Sequence, residues 1–131
     1  RHIGSNLRAP FVLTQAFAAQ APKADRSGAE PVARAMVVNI IDQRVLKPTP
    51  EFMTYTIAKM GLWGFTRTAA QALAPDIRVN AIGPGPTLRG TRQSEEHFTR
   101  QRRAVILGRG ATPGEVSAAL GYLIDAKSVT G

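Results

Sequence analysis

Tyr55 and Lys59 are the two residues of this sequence whose types and spacing are best suited to chemistry; they lie in the segment Tyr55-Thr56-Ile57-Ala58-Lys59. Residues four apart on a helix share one face, so the phenol and the ammonium would be neighbours. A nearby cation favours phenolate and is expected to lower a phenol pKa that is about 10 in water. Such a tyrosine could exchange a proton with a substrate. The structural alternative is that the Tyr55 ring packs at the helix edge while the Lys59 ammonium reaches water.

The elements that would position this pair alternate between helix and strand. Hydrophobic periodicity predicts helices over residues 6–20, 52–73, 93–105 and 112–125. The short, nearly continuous apolar run over residues 35–41 suits a strand that is buried on both faces, and residues 77–82 are predicted to form a second strand. This order of elements predicts an α/β fold with parallel strands joined by helices.

Local signals define two of the helix starts. Ser5 or Asn6 could cap the first helix, in which case Pro10 belongs to its first turn. Thr112 and Glu115 have the spacing of a capping box at the start of the last helix. We therefore expect both helix starts to be well defined.

Composition limits the class of protein. The sequence has 131 residues, 44% of them hydrophobic and 20% charged, which fits one globular domain. No apolar run approaches the roughly 18 residues of a transmembrane helix, so we expect no membrane partner. The absence of cysteine agrees with a cytoplasmic location, and two histidines give little basis for a metal site.

The net charge of +8 raises the question of nucleic-acid binding. The basic residues are scattered and have no interleaved aromatic residues for base stacking, so no nucleic-acid partner is expected. Six arginines between residues 88 and 109 form the one local excess: Arg89, Arg92, Arg100, Arg102, Arg103 and Arg109. This segment could face a small phosphorylated ligand or form a solvated helix face, and the solvated face is the favoured interpretation.

Four segments in order resemble the C-terminal half of the short-chain dehydrogenase/reductase family. They are Asn6-Leu7-Arg8-Ala9-Pro10-Phe11, Val38-Asn39-Ile40, the Tyr55-x-x-x-Lys59 segment, and Ile77-Arg78-Val79-Asn80-Ala81-Ile82-Gly83-Pro84-Gly85. The resemblance implies that residues 1–131 are a partial catalytic domain of this family. It implies an α/β fold that is the C-terminal half of a doubly wound, Rossmann-like parallel sheet with flanking helices.

Asp42 departs from the general family pattern. Family members usually have Ser or Thr about a dozen residues before the tyrosine, whereas Asp42 lies thirteen residues before Tyr55. An Asp there resembles the pteridine reductases and dihydromonapterin reductases, in which it assists protonation of a ring nitrogen. The structural alternative is a carboxylate that caps the turn after the strand.

The family's nucleotide-binding half is the larger departure. Nothing in the sequence matches the Gly-rich turn that places dinucleotide phosphates at a helix N-terminus. The family also continues beyond the last segment seen here. We therefore expect this chain to be part of a longer protein, with the N-terminal nucleotide-binding half absent, and we expect these 131 residues alone to be inactive.

The resemblance implies a role for each site residue. The substrate would be a small molecule with a C=N or C=O bond, possibly in a pterin, and the cofactor NADP, with NAD possible. Tyr55 would supply the proton, Lys59 would tune Tyr55 and hold the nicotinamide ribose, and Asp42 would share proton delivery. Asn6 would hold a water that links Lys59 to solvent. The nicotinamide would be lined by Pro84, Gly85 and Thr87.

A non-catalytic function is the alternative, in which a degenerate relative associates through its long helices. The predicted helix over 52–73 is apolar on more than one side, and we expect it to expose Trp63 and Phe65. A large apolar patch is rarely left bare on a soluble monomer. Under either interpretation we expect a homo-dimer or homo-tetramer that contacts through helices 6–20 and 52–73.

Overall fold

Two parallel strands and four α-helices make up the computed structural model, which describes all 131 residues. In chain order the elements are α1 (Ala9–Ala18), β1 (Ala35–Ile40), α2 (Met53–Leu73), β2 (Ile77–Ile82), α3 (Glu95–Arg103) and α4 (Pro113–Asp125). A π-helical stretch, Gly4–Arg8, leads into α1, and a 3-10 turn, Gln43–Val45, follows β1. The predicted α/β fold with parallel strands is confirmed.

β1 and β2 form a two-stranded parallel sheet that α2 connects. The register runs from Ala35 opposite Ile77 to Ile40 opposite Ile82. Because the strands are parallel, both carboxyl ends lie at the same edge of the sheet. Asp42 and the turn that begins at Gly83 therefore follow at that edge, where ligands bind in sheets of this type.

The hydrophobic core lies between α2 and the sheet. One cluster joins Ala69 and Ala70 of α2 to Ile77 and Val79 of β2. A second cluster, made of Ile41, Val45 and Leu62, lies under the carboxyl edge of the sheet. α2 is thus packed on the sheet from its middle, at Leu62, to its last turns, at Ala69 and Ala70.

β2 is the more deeply buried strand because the end of the chain covers its other side. The backbone N–H of Gly131 donates to the carbonyl of Val79 at 2.8 Å. The buried Arg78 guanidinium donates to carbonyls at the end of α4, including Leu123 at 2.8 Å and Ile124 at 3.0 Å. These bonds hold α4 against the sheet.

The start of the first helix differs from the prediction. Neither Ser5 nor Asn6 caps it with a side chain; the Ser5 hydroxyl instead donates back to the carbonyl of Arg1 at 3.1 Å. Helical backbone begins earlier, in the π-helical stretch Gly4–Arg8, and Pro10 falls at the first turn of α1 as predicted. An earlier helical turn satisfies the donors that a cap would have served.

The other predicted bounds hold to within two residues. The two strands and α2 agree to within one residue, while α3 is two residues shorter at each end than the predicted 93–105. The capping box of Thr112 and Glu115 is present in both directions. No helix is long and apolar enough to cross a membrane.

The prediction that α2 exposes Trp63 and Phe65 is wrong. Both are only partly exposed, and both pack against the cluster under the sheet edge. The Phe65 ring also lies 5.0 Å from that of Phe11 in α1. The apolar residues that α2 does expose are Met53, Ile57 and Met60, at 64%, 60% and 41% exposure.

Candidate active site

Asp42 lies just after β1 and uses its two carboxylate oxygens for two different contacts. Oδ1 accepts the backbone N–H of Arg44 at 2.8 Å, which caps the 3-10 turn. Oδ2 accepts the hydroxyl of Tyr55 at 2.8 Å. The capping interpretation of Asp42 is therefore correct, and it leaves the second oxygen free to contact the tyrosine.

The connection from β1 to α2 directs Tyr55 toward Asp42. Its organising side chain is Arg44, which donates to the Thr49 hydroxyl at 2.8 Å and lies over the Phe52 ring at 5.3 Å. Phe52 adopts a left-handed backbone conformation, with φ 57°, immediately before α2. This is uncommon for a bulky residue. The reversal starts α2 so that Tyr55, in its first turn, lies beside the end of β1.

Tyr55 does not have the lowered pKa that the Lys59 spacing predicted. Burial raises the pKa of Tyr55, and the hydrogen bond to Asp42 and the carboxylate charge raise it further. Phenolate would lose the hydrogen bond and would be repelled by Asp42. The expected lowering by Lys59 is thus wrong: burial and the carboxylate determine the pKa of Tyr55, and the opposing influence comes from the Arg44 charge. Tyr55 is therefore protonated at neutral pH, as a proton donor must be.

Lys59 is buried, with 8% of its surface exposed, and has one protein partner. Its Nζ donates to the carbonyl of Ile40 at 2.8 Å and lies 5.7 Å from the centre of the Tyr55 ring. Burial lowers the pKa of Lys59, and the Asp42 charge partly opposes this effect. An ammonium has three donors, so two remain for a ligand.

A cleft of about 950 Å³ brings together six of the seven candidate site residues. Its lining includes Asp42, Tyr55, Lys59, Pro84, Gly85 and Thr87. The Thr87 hydroxyl donates to the carbonyl of Gly85 at 3.0 Å, so its oxygen can still accept a hydrogen bond. The phenol, the ammonium, the carboxylate and the Pro84-Gly85 turn therefore share one side of the fold.

Asn6 lies outside this cleft. It lines a second cavity of about 540 Å³, beside the free edge of β1, together with Lys59. Its side chain makes no hydrogen bond to Lys59. Lys59 and Ile40 line both cavities, so they form the wall between the two. The predicted role of Asn6 as a water holder remains a prediction.

Several residues of the site were not found by sequence reasoning. His2 packs edge-on against the Tyr55 ring at 5.5 Å, and Arg44 shapes the connection to α2. Arg102, which was interpreted as part of a solvated basic face, instead points inward and donates to the carbonyl of Pro86 at 2.8 Å. His2 and Arg102 act through partners distant in sequence, and the contacts of Arg44 lie in an irregular connection, so no helix or strand pattern marks these residues.

Charge in the cleft is mainly positive. Its charged lining residues are Asp42, Arg44, Lys47, Lys59 and Arg109. Arg109 is paired with Glu115, whose carboxylate keeps a pKa of about 2 because of this contact. The remaining excess favours a ligand with anionic groups.

Comparison with known proteins identifies the family. A family model described as Enoyl-(Acyl carrier protein) reductase matches residues 1–131. Pteridine reductase 1 of Leishmania tarentolae is 33% identical over 132 residues, which cover 98% of this chain and 45% of that protein. Dehydrogenase/reductase SDR family member 4 of Homo sapiens is 35% identical over 81 residues, covering 61% of this chain and 26% of the relative.

A crystal structure supports the same assignment. FolM Alternative dihydrofolate reductase 1 of Brucella canis, complexed with NADP, superposes with a TM-score of 0.88 at 42% identity. The match covers 99% of this chain and 49% of that structure. The chain belongs to the short-chain dehydrogenase/reductase family. It spans about half the length of the relatives that match it from end to end.

Proposed function

We propose that the whole protein carrying this chain is an NADPH-dependent reductase of a C=N or C=O bond, with a pterin as the favoured substrate. The observation that carries the proposal is the hydrogen bond from Tyr55 to Asp42 inside the cleft. The names of two relatives, a pteridine reductase and an alternative dihydrofolate reductase complexed with NADP, support the substrate and cofactor class.

The residues at the edge of the sheet fit a nicotinamide nucleoside. Lys59 has two free donors for the ribose hydroxyls, and the Thr87 oxygen can accept from a carboxamide. The side chain of Gln43 lies close to Gly85: a Cβ on Gly85 would be 3.0 Å from the Gln43 Oε1 atom. The absence of a side chain at Gly85 therefore keeps the turn thin at this position. When bound, the dinucleotide supplies the hydride, and the protein positions it.

Tyr55 is the proposed proton donor. Its raised pKa keeps the phenol protonated, and its hydrogen already points along a hydrogen bond. A substrate nitrogen or carbonyl oxygen in the cleft would replace Asp42 as the acceptor of this hydrogen. The Asp42 carboxylate would then bind the polar edge of a pterin ring, and it would share proton delivery by taking a proton from solvent and passing it to the ring nitrogen. Lys59 would stabilise the phenolate that remains after transfer.

The proton would return to Tyr55 from solvent by way of Lys59. The second cavity lies behind Lys59 and is lined by the polar side chains of Ser5, Asn6 and Thr14. Most of the lining is apolar, but its volume of about 540 Å³ and these three polar side chains leave room and partners for water at one point. Asn6 is the residue we propose to hold that water.

Association through the long helices is part of the same proposal. Met53, Ile57 and Met60 recur along one exposed face of α2, and Gly64 continues this face with open space around it. Phe11, Val12 and Leu13 of α1 are 48%, 45% and 69% exposed. These apolar faces favour a homo-dimer or homo-tetramer through the two helices, and they also favour the alternative of a non-catalytic interaction protein.

Enzyme assays of the whole protein distinguish the two functions. NADPH oxidation should be measured with dihydrofolate, with dihydrobiopterin and with a simple aromatic ketone. The proposal predicts turnover of at least one pterin and a preference for NADPH over NADH, whereas the 131 residues alone should be inactive. No turnover and no NADPH binding by the whole protein would favour the interaction protein.

A further inference from the structure

Arg102 connects two segments of the cleft wall that are far apart in sequence. Its Nη1 donates to the carbonyl of Pro86 at 2.8 Å and to that of Ala111 at 2.9 Å, and its Nη2 donates to the carbonyl of Gly110 at 2.8 Å. The guanidinium also lies 5.6 Å from the centre of the Phe98 ring. One cation therefore joins the turn after β2 to the segment before α4.

Gly110, in the segment before α4, contributes to the same contact between the two segments, which we call the joint. A Cβ on Gly110 would lie 2.1 Å from the Pro86 carbonyl oxygen, which is backbone and cannot move aside alone. Gly110 is buried, so a side chain at this position could not turn toward solvent. It would have to push the two segments apart. Only glycine lets the segment approach the turn closely enough for Arg102 to reach all three carbonyls.

Pro86 lies between the two turn residues that would touch the nicotinamide. Gly85 and Thr87 flank it, and all three line the cleft. A guanidinium can donate to several carbonyls in a fixed geometry, whereas an ammonium on a flexible stem cannot reproduce this arrangement. Arg102 and Gly110 thus both contact the Pro86 carbonyl, at the centre of this turn.

We propose that Arg102 and Gly110 are positioning residues that fix the Pro84–Thr87 turn and thereby set the affinity of the cleft for the nicotinamide end of the cofactor. This inference rests on the proposed function for its ligand, but not for the joint. Neither residue touches the reacting atoms. Their effect passes through the Pro86 carbonyl.

The test compares Arg102→Gln, Arg102→Lys and Gly110→Ala in the whole protein. Arg103→Gln is the matched control, because Arg103 is the exposed neighbour and makes no side-chain hydrogen bond in the structure. Hydrogen exchange of the amides between Gly85 and Leu88, measured without cofactor, reports the joint. Titration of NADPH fluorescence reports its effect on affinity.

We expect faster exchange in this segment for all three variants and no change for the control. The Kd for NADPH should rise on the order of tenfold, as expected for loss of one or two charge-assisted hydrogen bonds. Arg102→Lys should not restore the wild-type value. The rise in Kd for the double variant Arg102→Gln/Gly110→Ala should be smaller than the product of the two single fold-changes, because both substitutions act on one contact.

Two results would overturn the inference. One is unchanged exchange at Gly85 to Leu88 in a folded Gly110→Ala or Arg102→Lys protein. The other is an equal rise in Kd for Arg103→Gln. If the wild-type whole protein binds no NADPH, the proposed function fails, and the exchange measurement still decides whether the joint exists.

Discussion

Tyr55 donates a 2.8 Å hydrogen bond to Oδ2 of Asp42, although thirteen residues separate them in the sequence. The direction of this bond decides where the proton resides. The phenol keeps it, since burial and the carboxylate both oppose phenolate. In the proposed reaction Tyr55 donates this proton to a substrate, and Asp42 accepts the hydrogen bond until a substrate takes its place.

Asp42→Ser should separate two kinds of substrate. Serine can still cap the 3-10 turn and accept from Tyr55, but it cannot bind a pterin edge as a carboxylate or share its protonation. In the whole protein we expect reduction of a simple carbonyl to persist while kcat/KM for a pterin falls about 10-fold to 1,000-fold. Steady-state assays on both substrates measure this. Equal losses on both would show that Asp42 is structural.

The ionisation of Tyr55 can be measured directly. Subtracting the tyrosinate absorbance of a Tyr55→Phe protein from that of the wild type isolates this phenol. We expect it to ionise above the usual value of about pH 10, and at lower pH in Asp42→Ser, which removes the carboxylate charge and leaves at most a weaker, neutral hydrogen bond. If Tyr55 of the wild type ionised with a midpoint below about pH 9, the lowered pKa predicted from the Lys59 spacing would be correct.

The raised pKa of Tyr55 should also make the free energy of unfolding depend on pH. A pKa that is higher in the folded state than in the unfolded state gives a contribution that is complete below about pH 10 and is lost as the pH rises beyond it. The free energy of unfolding of the wild type, relative to Tyr55→Phe, should thus be constant near neutral pH and decline in alkali. A difference that grows with alkaline pH would contradict the assignment.

Lys59→Ala should affect both the fold and the cofactor. It removes the partly buried hydrogen bond to the carbonyl of Ile40, which contributes about 0.5–1.5 kcal/mol. It also removes two donors from the proposed ribose site, so the NADPH Kd should rise on the order of tenfold. Urea unfolding and fluorescence titration measure these effects, with Lys127→Ala, an exposed lysine beyond α4, as the control. Unchanged NADPH affinity would remove Lys59 from the binding site.

The strongly patterned elements were predictable from the sequence. α2 and both strands have long or continuous apolar patterns, and the capping box of Thr112 and Glu115 depends only on residues three apart. The joint location of Asp42, Tyr55 and the Pro84-Gly85 turn also follows from parallel strands, whose carboxyl ends meet at one edge.

Properties that depend on distant contacts were not predictable. The pKa of Tyr55 is set by burial and by Asp42, so helix spacing to Lys59 alone gave the wrong direction. Phe65 is covered because α1 packs on α2, and Trp63 because it packs against the cluster of Ile41, Val45 and Leu62; periodicity along one helix cannot show either contact. Arg102 points inward because it donates to the Pro86 carbonyl. Pro86 lies sixteen residues earlier in the chain, so a local sequence pattern cannot show this contact.

Association should depend on the exposed faces of α1 and α2. We expect light scattering of the whole protein to give a dimer or tetramer, because these apolar side chains are otherwise left in water. Leu13→Glu and Ile57→Glu should shift the mass toward monomer, whereas Ile124→Glu on α4 should not. A monomeric wild type, or equal dissociation by all three variants, would contradict the proposed interface.

The central claim is that Tyr55 supplies the proton in an NADPH-dependent reduction, and kcat of the Tyr55→Phe whole protein tests it most directly. The matched control is Tyr122→Phe, an exposed tyrosine of α4. The account predicts that Tyr55→Phe lowers kcat for a pterin between about 100-fold and 10,000-fold. It also predicts an NADPH Kd within about twofold of wild type, because the substitution removes only the transferable proton. A Tyr55→Phe protein that turns over a pterin as fast as Tyr122→Phe would contradict it.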